Sequence, residues 1–189
     1  MTEKEILDIF IDCGALIEGH FLLTSGLHSK KYFQKNLVLQ YPRYTEKLCR
    51  QLSKKFASKK VDVVIAPAVG AIVLSYQLAS IFKCRSIFTE RLDGKMLLRR
   101  DFKIASGEKV LIAEDIVTTG GSVMELVELV RREGGEVIGI CALVDRSKKK
   151  NKFEDVEFKS LLRLNLKTYK PPECPMCKKG LPLIKPGSR

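Results

Sequence analysis

The sequence predicts a three-layer α/β domain: a central parallel sheet flanked by helices, with a small N-terminal hood. Three observations carry this. Compact apolar runs, among them Val61-Asp62-Val63-Val64-Ile65-Ala66 and Val137-Ile138-Gly139-Ile140-Cys141-Ala142-Leu143-Val144, lack a polar face, as strands covered on both sides do. They alternate with helical patterns over 42–55, 70–82 and 120–133, the order of a sheet built from strand–helix units. The stretch 16–40 breaks that rhythm, with short apolar pieces set beside turn residues. At 189 residues the chain has one domain's length, enough to bury about 70% of its unfolded surface.

The elements run in order along the chain. Thr2 with Glu5 fits a capping box; Ile6, Ile9, Phe10 and Cys13 share one helical face, and Gly14 ends it. Ala15-Leu16-Ile17 and Phe21-Leu22-Leu23, with the turn residues Thr24-Ser25-Gly26 after them, predict a hairpin, the hood, over about 15–40. Pro42 opens a helix to about Lys55 with Leu48, Leu52 and Phe56 inward. The core, about 41–147, adds strands ending at Ala66, at 84–89, at 96–100, at 109–113 and at 137–144. A basic tail, about 148–189, holds a strand at 155–162, and Lys148-Lys149-Lys150 reads as a solvated turn.

Composition narrows the class. Hydrophobic residues make up 45% and charged residues 30%, which excludes a disordered chain. No apolar run is long enough to cross a bilayer, and the charged start Met1-Thr2-Glu3-Lys4-Glu5 is no signal peptide. Six scattered cysteines without a secretion signal predict thiols and a cytoplasmic protein. The net charge of +12 points to polyanions without choosing among nucleic acid, membrane and phosphorylated small molecules.

The chemistry concentrates in Val110-Leu111-Ile112-Ala113-Glu114-Asp115-Ile116-Val117-Thr118-Thr119-Gly120-Gly121-Ser122. An apolar strand runs into two adjacent carboxylates, then into a loop of small residues that opens a helix. Backbone N–H groups of such a loop, the helix start and the hydroxyls of Thr118, Thr119 and Ser122 make a cradle for a monophosphate. Glu114 and Asp115 would repel a phosphate. They are acceptors suited to two ribose hydroxyls and, through water, to Mg²⁺. A ribose phosphate satisfies both halves. GxxxxGK[ST] and GxGxxG are both absent, so the chain is neither a P-loop nor a dinucleotide-binding protein by motif.

This stretch resembles the phosphoribosyl pyrophosphate (PRPP) signature of the type I phosphoribosyltransferases. Over roughly its full length the chain is similar to orotate phosphoribosyltransferases, in particular to a short form ending in Cys-Pro-x-Cys and Lys-Pro-Gly-Ser-Arg. The resemblance implies the type I phosphoribosyltransferase fold and transfer of phosphoribosyl from PRPP to orotate in pyrimidine synthesis, with Mg²⁺ held mainly through PRPP. It implies a PRPP site made of residues 114–122, that is Glu114, Asp115, Ile116, Val117, Thr118, Thr119, Gly120, Gly121 and Ser122, with Ala68, Val69 and Gly70 meeting the pyrophosphate. It implies a mobile lid at Glu90-Arg91-Leu92-Asp93-Gly94-Lys95 whose cations Arg91 and Lys95 act in catalysis beside Asp115. Many relatives have Arg-Lys where Glu90-Arg91 stands and a loop histidine absent here. Orotate is implied to meet Thr118, Arg146, Ser25, Gly26 and the aromatic Phe33, although many relatives have Lys at the place of Thr24. A homodimer whose lids reach the neighbouring site is implied as well.

Two other readings remain compatible with the residues: a phosphoribosyltransferase for another base, and a PRPP-binding regulator of nucleic acid, although no nucleic-acid-binding motif is visible. Cys174-Pro175-Met176-Cys177 supplies two of the four ligands of a structural zinc. The remaining cysteines are isolated and His20 and His28 lie far upstream, so reduced thiols in a docked tail are the simpler expectation, with a second pair from another subunit as the zinc route.

Overall fold

The computed structural model describes residues 1–23, 25–34, 36–147, 153 and 156–185. Thr24, the Lys148-Lys149-Lys150 turn, the first residue expected of the 155–162 strand and the Pro186-Gly187-Ser188-Arg189 end lie outside the described residues.

The chain opens with α1 (Glu3–Asp12), where both arms of the Thr2–Glu5 capping box are present and Ile6, Ile9 and Phe10 are buried. The hairpin β1 (Leu16–Leu22) and β2 (His28–Phe33) comes next, then α2 (Asn36–Leu39) and α3 (Pro42–Ser53), extended by a turn of 3₁₀ helix through Phe56. The core then runs β3 (Val63–Pro67), α4 (Ile72–Phe82), β4 (Arg85–Leu92), β5 (Lys95–Leu98), β6 (Lys109–Val117), α5 (Gly121–Arg132), β7 (Glu136–Asp145) and β8 (Phe158–Arg163). The tail adds β9 (Thr168–Tyr169) and α6 (Pro175–Lys178).

Six strands form the main sheet in the order β5-β4-β3-β6-β7-β8. All neighbours are parallel except β4 and β5. The expected parallel sheet is present, with one antiparallel pair at its β4–β5 edge. The cause is local: the Asp93-Gly94 turn, both residues at positive φ, is a two-residue hairpin connection that can only return the chain antiparallel.

Pleat alternation divides the core into two layers. Leu111 and Ala113 of β6 pack with Phe10, Leu48, Leu52, Phe56, Leu74 and Leu78 from α1, α3 and α4 and the turn after α3. Val110 and Ile112 pack on the opposite face with Val123, Leu126, Val127 and Val130 of α5. β6 sits mid-sheet between β3 and β7, which is why its apolar part is buried on both sides. This matches the expected three layers.

The hood is a separate three-stranded antiparallel sheet in the order β1-β2-β9. Its third strand comes from the tail, with His28 opposite Tyr169 and Ser29 opposite Thr168. The tail returns a second time: Leu22 N–H donates to the Ile184 carbonyl and Ile184 N–H to the His20 carbonyl, both at 2.8 Å. The hood is anchored to the core through Phe33, whose ring meets Phe10 edge-on at 4.9 Å. Folding also brings His20 and His28 to Cys174 and Cys177, all four donor atoms within 4.8 Å of one another. Distance along the chain was the reason to set these histidines aside, and the hairpin–tail sheet removes it.

One close approach makes the layer packing testable. A Cβ on Gly139 would stand 2.5 Å from Phe56 Cε1 and 3.1 Å from its Cδ1, against a ring with no exposed surface. Gly139→Ala is expected to cost about 1–3 kcal/mol by overpacking. Urea denaturation checks this; an unchanged midpoint would show that the ring can move aside.

Candidate active site

The carboxyl edge of the sheet gathers the polar residues, as the strand order requires of an open α/β sheet. β6 continues past its apolar part, so Glu114 and Asp115 belong to the strand itself and are 8% and 1% exposed. Each carboxylate accepts from the next backbone N–H: Asp115 N–H donates to Glu114 Oε1 at 2.9 Å, and Ile116 N–H to Asp115 Oδ1 at 2.6 Å. Those bonds tie each buried carboxylate back to its own strand. The side chains of Ile116 and Val117 pack into the two apolar layers. Any contact they make with a ligand is therefore through the backbone.

Thr118, Thr119, Gly121 and Ser122 are exposed beyond the strand end. Gly120 begins α5 at φ 84°, a conformation that suits glycine; it has no side chain to cap the helix, and Thr119 Oγ1 accepts from Gly121 N–H only at 3.5 Å. The first turn of α5 therefore presents backbone N–H groups at the carboxyl edge of the sheet. The turn after β3 lies alongside: Ala68 N–H donates to the Thr89 carbonyl at 2.8 Å, the Ala68–Val69 peptide is cis, and Val69 is 81% exposed. A cleft of about 190 Å³ opens between these segments, lined by Ala68, Gly70, Arg91, Glu114, Asp115 and Ser122. The structure thus brings together the acids, the start of α5 and the small-residue turn.

Thr89 and Met96 also line this cleft, and sequence reasoning missed both. Thr89 had a signal: in parallel register it stands opposite Pro67, at the same sheet edge. The expected lid, 90–95, is an extended hairpin: Arg91 lies in β4 and Lys95 opens β5. Arg91 is held by Glu125 of α5, Nη2 to Oε2 at 2.6 Å, and also donates to the Gly94 carbonyl. The Arg91 guanidinium holds the Glu125 carboxyl below its usual range, and Met96 N–H donates to the same carboxylate at 2.7 Å. Lys95 is exposed. Glu90 is paired by Arg100 at 3.0 Å, which holds its carboxyl down as well.

On the hood side, Ser25 and Gly26 are exposed in the turn between β1 and β2. Phe33 does not face a ligand there; it is 3% exposed and committed to Phe10. Strand alternation turns its neighbour Tyr32 to the other face, where the ring lies 5.6 Å from that of Phe21. Tyr32 is also close enough to act on the charge of Arg146. The aromatic expectation therefore moves by one residue. Arg146 comes directly after β7, with its N–H bonded to the Val117 carbonyl at 2.8 Å, so it stands beside the end of β6. Burial pushes its guanidinium down from the usual value, and it has no ion-pair partner among the described residues. Asp145 instead accepts from Ser147 N–H at 2.9 Å and from Ser147 Oγ at 2.6 Å. A half-buried cation without a carboxylate is suited to receive one.

Among the described residues no helix is long and apolar enough to cross a membrane. Residues 39–168 match the family described as phosphoribosyl transferase domain. The chain is 52% identical to the orotate phosphoribosyltransferases of Caldicellulosiruptor saccharolyticus and Desulforamulus reducens, each over 100% of this chain and 98% of the relative. The fold is similar to that of the Aeropyrum pernix orotate phosphoribosyltransferase (TM-score 0.70, 22% identity, 84% of this chain and 93% of the other). It is equally similar to an adenine phosphoribosyltransferase from Thermoanaerobacter pseudethanolicus (TM-score 0.70, 19% identity, 86% and 100%). With the motif, the cleft and full-length likeness in agreement, the chain belongs to the orotate phosphoribosyltransferases of the phosphoribosyl transferase domain family.

Proposed function

We propose that this chain transfers the phosphoribosyl group of PRPP to orotate, giving orotidine 5′-monophosphate and pyrophosphate, in cytoplasmic pyrimidine nucleotide synthesis. The carrying observation is the cleft where the start of α5, the Glu114-Asp115 pair and the 68–70 turn converge in a chain matched end to end by orotate phosphoribosyltransferases. Six free cysteines support the cytoplasmic assignment.

Each part then has a task. The 118–122 loop fixes the 5′-phosphate, and Glu114 and Asp115 hold the ribose hydroxyls. Ala68, Val69 and Gly70 offer backbone to the pyrophosphate, and Arg146 holds the orotate carboxylate beside Ser25, Gly26 and Thr118. Charge builds on the departing pyrophosphate while C1′ gains oxocarbenium character and the orotate ring nitrogen attacks; no covalent enzyme intermediate is needed. Positioning and charge stabilisation supply the rate. The hard oxygen donors of Glu114 and Asp115 fit Mg²⁺ held through water. When bound, Mg²⁺ offsets charge on the pyrophosphate oxygens. Arg91 reaches the pyrophosphate by exchanging Glu125 for it, and Lys95 is placed to serve this site or, in a homodimer, the neighbouring one.

Three outcomes are expected. Asp115→Asn should lower turnover by about 10²-fold through lost ribose positioning, with an unchanged circular dichroism spectrum. Orotidine monophosphate formation from orotate, PRPP and Mg²⁺, followed by loss of orotate absorbance, is the assay; activity with another base and none with orotate would replace the substrate assignment. Lys95→Ala should lower kcat by about 10²–10³-fold with a smaller change in the KM for PRPP. A change confined to orotate affinity would remove Lys95 from the pyrophosphate. The third outcome concerns pH. Because Arg91 depresses the Glu125 carboxyl, the stability from this pair is present above the ordinary carboxylate value and lost as pH falls through the lowered one. Glu125→Gln should therefore cost about 0.2–1 kcal/mol near neutrality, with partial exposure keeping it small, and nothing in strong acid. Urea midpoints of both proteins across that range check it; an equal gap at every pH would contradict the ion-pair assignment.

A further inference from the structure

We propose that His20, His28, Cys174 and Cys177 form a structural zinc site that joins the tail to the hood. His20 Nε2 lies 2.9 Å from His28 Nδ1, 3.5 Å from Cys174 Sγ and 3.6 Å from Cys177 Sγ, and Cys177 Sγ lies 3.2 Å from His28 Nδ1. A tetrahedron built on zinc's bond lengths has edges of about 3.5 Å between nitrogen and sulfur and about 3.3 Å between nitrogens. The His20–sulfur edges already have that length; the His20–His28 and Cys177–His28 edges are a few tenths of an ångström short, and every other pair lies within 4.8 Å.

The four groups converge on one point. His20 Nδ1 lies 2.9 Å from the Leu181 carbonyl, which only accepts, so Nδ1 donates there and Nε2 is turned inward. Three groups approach that one nitrogen within 3.6 Å. A cation at the centre would engage all four ligand atoms at once. The Leu181 bond is the orienting partner that metal-bound histidines regularly have. His20, His28 and Cys174 are 3%, 4% and 0% exposed, so the ligands are withdrawn from solvent and only Cys177 is exposed.

The donor set selects the ion. Two sulfurs and two imidazoles without a carboxylate are unsuited to Mg²⁺ or Ca²⁺ and match tetrahedral zinc, whose charge two thiolates balance. The local fold supports both pairs. Cys174 precedes α6 and its carbonyl accepts from Lys178 N–H at 3.2 Å, so the first turn of α6 carries Cys177 back toward Cys174. In the hairpin, Leu22 faces His28, and His20, two residues earlier on the same strand face, lies diagonal to it.

The tail needs such a fastening. Its elements are a two-residue strand and a four-residue helix, and Leu181, Leu183 and Ile184 are about half exposed. Little apolar burial holds it down, the circumstance in which small folded units rely on a metal. The two histidines also flank the turn that carries Ser25 and Gly26. Resting on the orotate reading above, the metal fixes the base of the turn that meets orotate.

The test is metal content. Protein purified without chelator, and reduced protein reconstituted with zinc chloride, is analysed by plasma mass spectrometry; about one zinc per chain is expected. Cys177→Ser, at an exposed position, should weaken zinc binding at least about tenfold in competition with a chromogenic chelator, while Cys84→Ser should leave it unchanged. A chain that carries no zinc and takes none up overturns the proposal, as does full affinity in Cys177→Ser or a Cys174–Cys177 disulfide in the purified protein. Zinc-depleted enzyme should show a raised KM for orotate with a smaller change for PRPP. Metal content is read without substrate, so its failure leaves the transferase assignment standing. Lack of orotidine monophosphate from zinc-loaded protein would strike only the transferase assignment.

Discussion

Two carboxylates follow one another on β6, almost out of water, just before the start of α5. Bare burial of one such charge costs several kcal/mol, and a like neighbour raises that cost. The architecture supplies what offsets it. Backbone N–H groups of Asp115 and Ile116 bond to the carboxylates. The start of α5 adds its partial positive charge a few residues on. Both devices need β6 in the middle of the sheet, with apolar layers on its two faces to fix its end in space. The sheet order, the length of β6 and the glycine at the head of α5 all serve that requirement.

Charge in the chain is arranged around the same requirement. Residues 61–145 hold 10 basic and 12 acidic residues, whereas residues 146–189 hold 13 and 4. The segment that carries Glu114 and Asp115 is therefore slightly acidic. Its cations are few and most are tied: Arg91 to Glu125, Arg100 to Glu90, Arg85 to Glu108. Arg146 stands apart as a half-buried cation with no ion pair among the described residues. The overall +12 is a property of the chain's ends and says little about the ligand.

The features legible in the sequence were local. The capping box of Thr2 and Glu5, Pro42 at a helix start and the 110–122 stretch each carry their structure within a few consecutive residues. The rest depended on contacts that no periodicity records. Whether Tyr32 or Phe33 is buried against α1 is set by strand register, and a shift of one residue exchanges the faces. Arg91 meets Glu125 across 34 residues, and His20 meets Cys174 across 154. The segment read as a lid between two strands is extended hairpin, because a two-residue turn leaves no room for a loop.

The third strand of the hood comes from residues 168 and 169, and Ile184 lies against Phe21. The cleft beside Glu114 and Asp115 is lined by one stretch of chain, between Pro67 and Ser122, while the hood is stitched from β1 and β2 with β9 and Ile184. On the ribosome, β1 and β2 emerge among the first residues and must wait for almost the entire chain before their partner strand exists. The strands from β3 to β7 can come together before residues 168 and 169 are made. The hairpin that carries Ser25 and Gly26 gains its third strand only afterwards, so the hood matures later than the core it stands on.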